Sequence, residues 1–269
     1  MVNIVQISDL HYGCSDFRDE FFDNIITYLK DNIPDVIICT GDIVDKGKLI
    51  EYEGFVPYFE KLKKIAPLIT VPGNHCCKAS GIVWFEKFIS ARRSKLVIKE
   101  KDAIILGICS PRDDLKDGEI GDEQLEWMAR HFKEPYENRV LALHHHLIPI
   151  PFAGRKWNIV RDAGEILEFT QYAKIDLVLC GHRHVPHAWV IGPTTFLYCG
   201  TSTSIKSRVD DSPSFNHINL DKGDLDVQII NSSTLEKSQL LTRRENHTKF
   251  IRPRKTRIEH LLNQKVFLD

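Results

Sequence analysis

Histidine, aspartate and asparagine side chains recur in five short stretches of the chain, each directly after an apolar run. The stretches are Asp9-Leu10-His11, Gly41-Asp42, Gly73-Asn74-His75, His144-His145-His146 and Gly181-His182-Arg183-His184. Together they offer imidazoles, carboxylates and an amide. That mixture suits Mn, Fe, Zn or Ni better than Mg or Ca, which prefer oxygen shells. An ion of this kind lowers the pKa of a bound water. Each stretch alone is weak. Asp-x-His occurs by chance, a histidine triplet can be an ordinary surface loop, and Gly-Asn-His is more often a turn. Their occurrence together, in order and at strand ends, is what points to a site.

The elements that must carry these residues can be read from apolar periodicity. Strands are expected over residues 2–8, 36–40, 68–71, 140–143 and 175–180, each running into one of the five stretches. Helices are expected over 16–30, 49–65, 81–90, 122–132 and 162–172, with Pro57 bending or dividing the second. Residues 96–98 and 103–108 read as a hairpin, and strands at 188–191, 195–198, 215–219 and 225–230 read as a closing meander. The chain is therefore α/β, beginning in β/α repeats. Parallel neighbours bring strand ends to one rim, where open α/β sheets hold ligands. In an extended segment residues two apart point the same way, so Asp9 with His11, and His182 with His184, are expected to face one ion. Gly41, Gly73 and Gly181 precede the donors, where a sharp turn leaves no room for a Cβ.

Composition sets the outer limits. A chain of 269 residues that is 42% hydrophobic and 27% charged can bury a sizeable core and is neither disordered nor membrane-spanning in character. The N-terminus lacks a basic region followed by an apolar one, so no secretory leader is expected. Seven scattered cysteines, an odd number, predict reduced thiols and a cytoplasmic location. The net charge of −1 is uneven: residues 1–231 carry −6 and residues 232–269 carry +5. We read 1–231 as the functional domain and 232–269 as a basic C-terminal extension. A solvated arm packed on the domain or on a partner subunit, and so a route to oligomers, is favoured there over nucleic-acid contact. Other chemistries fail. The run Gly41 to Gly47-Lys48 is one residue too long for a phosphate loop, and Leu49 stands where Ser or Thr would be needed. No Gly-x-Ser-x-Gly elbow is present. Cys76-Cys77 is not a Cys-x-x-Cys redox pair.

The motifs resemble those of the calcineurin-like metallophosphoesterase family. Its signatures Asp-x-His, Gly-Asp-x-x-Asp-x-Gly, Gly-Asn-His, a strand-terminal His and Gly-His-x-His stand here as Asp9-Leu10-His11, Gly41-Asp42-Ile43-Val44-Asp45-Lys46-Gly47, Gly73-Asn74-His75, His144 and Gly181-His182-Arg183-His184. The resemblance covers about residues 1–200. It implies a four-layer α-β-β-α sandwich with metal-binding loops at the strand C-terminal ends, two divalent ions (Mn, Fe, Zn or Ni), and attack by a hydroxide bridging them. It also implies that the first ion takes Asp9, His11, Asp42 and His184, and the second Asp42, Asn74, His144 and His182, with Asp42 between them. His145 or His146 stands as the alternative to His144. His75 resembles the family's active-site acid and Asp45 its orienting partner. Cys76 departs from the acidic residue that many relatives carry after Gly-Asn-His, which puts in doubt a supporting role for that position.

The chain looks similar to the cyclic-nucleotide phosphodiesterase branch, through its His-His pair and the Pro-rich loop that follows. That loop, residues 147–160, holds Pro149, Pro151, Phe152, Arg155, Lys156, Trp157 and Asn158, types that could stack on a base and contact phosphate. Trp157 and Phe152 could equally pin the loop to the domain. The expected substrate is a small phosphodiester of nucleotide type, with a cyclic nucleotide as the specific reading, and no membrane partner. A nuclease, suggested by the basic tail, and a non-catalytic metal-binding scaffold are the alternatives.

Overall fold

The computed structural model describes residues 1–151, 153, 159–206, 212–245 and 247–250. Alternation along the strands sorts apolar residues onto two faces. In β1 (Val2–Ile7), Val5 and Ile7 pack under helices while Val2 and Ile4 face a second sheet. β2 (Val36–Cys39) divides in the same way, with Ile37 and Cys39 outward and Val36 and Ile38 inward. In the second sheet, β5 (Ala103–Gly107) and β6 (Asn138–Ala142) turn Ile104, Leu106 and Leu141 to outer helices. Their Ala103, Ile105, Val140 and Ala142 face the first sheet. Three apolar layers result, and the architecture is a four-layer α-β-β-α sandwich.

The first sheet runs β13-β12-β11-β10-β1-β2-β3, with β3 (Leu68–Thr70), β10 (Ser214–Asp221), β11 (Asp224–Asn231), β12 (Lys237–Arg244) and β13 (His247–Phe250). The second runs β4-β5-β6-β7-β9-β8, with β4 (Ser94–Ile98), β7 (Leu177–Cys180), β8 (His187–Ile191) and β9 (Thr194–Tyr198). β1, β2 and β3 are mutually parallel, as are β5, β6, β7 and β9. Helices α1 (Asp19–Asp31), α2 (Leu49–Lys63) and α3 (Gly81–Phe88) cover the first sheet. Helices α4 (Asp122–Phe132) and α5 (Ala163–Tyr172) cover the second.

Three departures from the sequence reading have physical causes. α1 starts at Asp19 rather than residue 16, because Phe17 bridges to Ser204 and the Arg18 N–H donates to Thr203 O at 2.9 Å. α2 runs through Pro57 undivided. Pro57 and Glu53 are both exposed, so the carbonyl that loses its helical partner lies on the solvent face. The closing strands are not one meander: β8 and β9 complete the second sheet, and β10 to β13 form a meander in the first.

The sheet also continues past Asn231. Lys237–Arg244 and His247–Phe250, read from sequence as part of the basic extension, are the strands β12 and β13. Leu240 and Leu241 are buried there, and so is Arg243, whose guanidinium donates to the carbonyls of Gly192 and Pro193. Residues 251–269 lie outside the described residues. All seven cysteines are free thiols. Among the described residues no helix is long and apolar enough to cross a membrane.

Candidate metal centre

Parallel pairing brings the C-terminal ends of β1, β2, β3, β6 and β7 to one rim, and all five stretches meet there. Strand alternation is not what aims the donors, however. Asp9, His11, Asp42, His182 and His184 all sit at positive φ, between 49° and 74°. The chain has left the extended region, and each donor is held in a left-handed turn that non-glycine residues rarely adopt. The preceding glycines make room. Gly41 lies at φ +97°, and a Cβ there would fall 2.6 Å from His144 Nδ1. A Cβ on Gly73 would fall 2.1 Å from Asp42 Oδ1.

Donor atoms converge in two overlapping groups. In the first, His184 Nε2 lies 3.3 Å from Asp9 Oδ1 and 2.9 Å from His11 Nε2. His11 Nε2 is also 4.0 Å from Asp42 Oδ2. In the second, His144 Nε2 lies 3.3 Å from Asp42 Oδ2 and 3.1 Å from Asn74 Oδ1, which His182 Nδ1 approaches to 3.0 Å. Asp42 thus belongs to both. Asp9, His11 and His184 form one cluster whose ligand atoms lie within 4.8 Å of one another, and Asp9, Asp42 and His144 form another.

Ring anchoring fixes which nitrogens face inward. His144 Nδ1–H donates to Thr40 O at 2.8 Å, and His184 Nδ1–H to Lys206 O at 2.7 Å. Asp45 Oδ1 stands 3.5 Å from His11 Nδ1. His11 Nε2 and His184 Nε2 face each other across 2.9 Å, and His11 Nδ1 is buried without a hydrogen-bond partner, an arrangement that a cation between the two Nε2 atoms would suit. Asp9 and Asp42 are both buried. Burial pushes their pKa values up, but the neighbouring imidazoles, His184 for Asp9 and His144 for Asp42, outweigh it and keep both carboxyls below the usual range. The residues present therefore fit a pair of divalent cations.

Of the triplet, His144 is the member that reaches a carboxylate. His145 donates from Nε2 to Lys116 O at 3.2 Å, and its Nδ1 lies 3.0 Å from the Ser110 hydroxyl. His146 Nε2–H donates to Gly181 O at 2.6 Å. Burial pushes both rings down to about 3, so they stay neutral.

His75 sits beside the donors. Its backbone N–H donates to Asp42 Oδ1 at 2.7 Å. Its Nδ1 lies 2.7 Å from Asp45 O and 3.2 Å from Asp45 Oδ1, which leaves Nε2 as the nitrogen to face a substrate. Burial opposes charge on this ring, but Asp42 and Asp45 favour it more and hold it above the ordinary histidine value. The His11 and His75 rings beside it hold the Asp45 carboxyl far below the usual range. Cys76 is fully buried, and its carbonyl accepts from the Tyr52 hydroxyl at 2.8 Å, so this position packs the helical layer.

Several site residues were not visible in sequence. Thr201 and Thr203 donate their hydroxyls to the carbonyls of Asp9 and Leu10, each at 2.7 Å, and hold the first turn in place. The hydroxyl-rich run Gly200-Thr201-Ser202-Thr203-Ser204 was the available signal. Lys78 places Nζ 2.7 Å from His75 Nδ1. Of the proposed substrate loop, Phe152, Arg155, Lys156, Trp157 and Asn158 lie outside the described residues. Its base is anchored by Leu147 and Ile150 in the core and by Ala153 O, which accepts from Arg183 Nε at 2.8 Å.

The family model for calcineurin-like phosphoesterase matches residues 2–186. The chain is similar to the 3′,5′-cyclic adenosine monophosphate phosphodiesterase CpdA of Escherichia coli K12, 28% identical over 155 residues. That match spans 56% of this chain and about half, 54%, of the E. coli protein. It is also 27% identical over 212 residues to a Synechococcus protein described as a probable cyclic nucleotide phosphodiesterase, covering 74% of this chain and 79% of that one. Among solved structures, the yellow lupin purple acid phosphatase PPD1 superposes with a TM-score of 0.67 at 14% identity, covering 88% of this chain and 52% of that one, which shows the fold alone.

Proposed function

The chain belongs to the calcineurin-like phosphoesterase family, and on that premise we propose that it is a two-metal phosphodiesterase acting on a nucleotide-type diester, with a 3′,5′-cyclic nucleotide as the specific substrate class. One observation carries the reading: Asp42 stands between two donor groups, each built from a carboxylate and imidazoles drawn from both sheets. Asp9, His11, Asp42 and His184 would hold one ion, and Asp42, Asn74, His144 and His182 the other. When bound, such ions supply a water of lowered pKa and positive charge for the phosphate oxygens. The rest falls to the protein. His144 and His184 keep their lone pairs inward because Nδ1 is tied to a carbonyl. Asp45 fixes the His75 ring, and His75 Nε2 hands a proton to the departing alkoxide. The similarity to cyclic-nucleotide phosphodiesterases supports the substrate class. The seven free cysteines support a cytoplasmic setting.

The test is a substrate panel with Mn2+-loaded protein: 3′,5′-cyclic nucleotides, bis-nitrophenyl phosphate, nitrophenyl phosphate, and single-stranded DNA and RNA. Turnover of the cyclic nucleotides and the aryl diester is expected. Hydrolysis of the monoester alone would overturn the diester reading. Cleavage of nucleic acid in preference to small diesters would favour the nuclease, and two bound metals without turnover would favour a scaffold.

A further inference from the structure

The layer between the sheets is mostly aliphatic, with Arg243 buried toward its lower end and a second polar group at its upper end, just below the candidate metal centre. There Gln6, Thr40 and Asn216 are each fully buried. Gln6 lies on the inter-sheet face of β1, in line with Val2 and Ile4. Its Nε2 donates to Thr40 Oγ1 at 3.1 Å and to Cys180 O at 3.0 Å. Its Oε1 accepts from Asn216 Nδ2 at 2.9 Å, and Asn216 is its cross-strand partner on β10. One amide thereby joins both sheets. An unpaired amide in such a layer would be costly, whereas an apolar residue would carry no such penalty, so the network is not there for burial alone.

The positions it ties matter. Gln6 is three residues before Asp9, Thr40 two before Asp42, and Cys180 two before His182. Thr40 O is also the acceptor that orients His144 Nδ1. Each proposed ion takes donors from both sheets: Asp9, His11, Asp42 and Asn74 come from the first, and His144, His182 and His184 from the second. The gap between the sheets therefore sets the donor separations. We infer that Gln6 is a positioning residue for the metal pair, setting the spacing and register of the two half-sites through Thr40 and Cys180. This rests on the two-metal reading above.

The experiment compares wild type, Gln6→Met, and the triple variant Gln6→Met/Thr40→Val/Asn216→Leu, which removes the network without leaving a lone polar group. The probe is Mn2+ alone, followed by titration, by the electron paramagnetic resonance signature of coupled Mn2+ pairs, and by thermal melting of the metal-free protein. The triple variant should melt at or above the wild-type temperature, yet bind Mn2+ about 10–100-fold more weakly with an altered coupling signature. Gln6→Met should weaken Mn2+ binding similarly. Wild-type affinity and signature in a folded variant would overturn the inference. So would failure of both variants to fold, since the network would then hold the fold and not the site. Failure of the wild type to bind two Mn2+ would instead overturn the two-metal reading, and is seen before any variant is made.

Discussion

Replacing His75 with alanine should separate substrates by leaving group. The structure gives reasons to expect a clean effect. The contact from this residue to Asp42 is the backbone N–H at 2.7 Å, which alanine keeps. The proposed ligand shells use no atom of the imidazole, so both metals should remain. The ring is preplaced by Asp45 O at 2.7 Å and Oδ1 at 3.2 Å, and its side chain is 25% exposed, enough for a substrate to reach it. A positioned general acid contributes about 10²–10⁴-fold, or about 3–5 kcal/mol of barrier. That contribution is needed for a ribose alkoxide and scarcely for a nitrophenolate, which departs without a proton. His75→Ala should therefore slow a cyclic nucleotide by about 10²–10⁴-fold and bis-nitrophenyl phosphate by less than about tenfold. The assay is kcat on both substrates at matched metal content. Equal losses on the two would refute the acid role and point to phosphate binding. Asp45→Asn should show the same selectivity in milder form, but with weaker metal binding as well, because Asp45 Oδ1 also stands 3.5 Å from His11 Nδ1.

Asp42→Ala should lose at least one ion and cost more activity than the about 10–100-fold typical of an outer-shell partner, while the fold survives; elemental analysis showing full occupancy would contradict this. Metal binding should strengthen with pH. Burial opposes charge on His144, but Asp42 pushes the ring up to about 9, so below that pH a metal must displace a proton. Apparent Mn2+ affinity should rise by up to about tenfold per unit toward pH 9, with about one proton released on filling at pH 7.5. Calorimetry in buffers of different ionisation enthalpy checks this, and a flat affinity between about pH 6.5 and 8.5 would refute it. Deletion of residues 251–269 should leave turnover of a small diester within a few-fold. Deletion from residue 242 should destabilise the protein, since it removes β13 and the end of β12, with the buried Arg243 paired to Leu225 of β11. Comparable melting of the two truncations would argue that these strands add nothing to the sheet.

Much of the site was legible because its donors lie in short motifs at the ends of apolar runs, and strand pairing then gathers them. Asp9 and Asp42 were candidates on that pattern, whereas the choice of His144 from its triplet rested on the family resemblance as well. What sequence could not show are contacts between distant segments. The Thr201 hydroxyl reaches the Asp9 carbonyl across 192 residues, and Gln6 reaches Cys180 across 174. Periodicity carries no trace of either. The left-handed turns at Asp9 and His11 were hidden for a related reason: neither residue type demands positive φ, and the surrounding hydrogen bonds impose it. The strands β12 and β13 were missed because their charge suggested a solvated arm, whereas Arg243 is buried by pairing its guanidinium with carbonyls of the opposite sheet.

The most direct test of the central claim combines metal content with turnover on the same sample. The protein is stripped with a chelator, reloaded with Mn2+, dialysed, and measured by elemental analysis and by hydrolysis of a 3′,5′-cyclic nucleotide. Two ions per chain are expected, with turnover that vanishes on stripping and returns only as the second ion binds. Turnover that survives chelation, or full activity with a single ion, would contradict a site built around a shared Asp42.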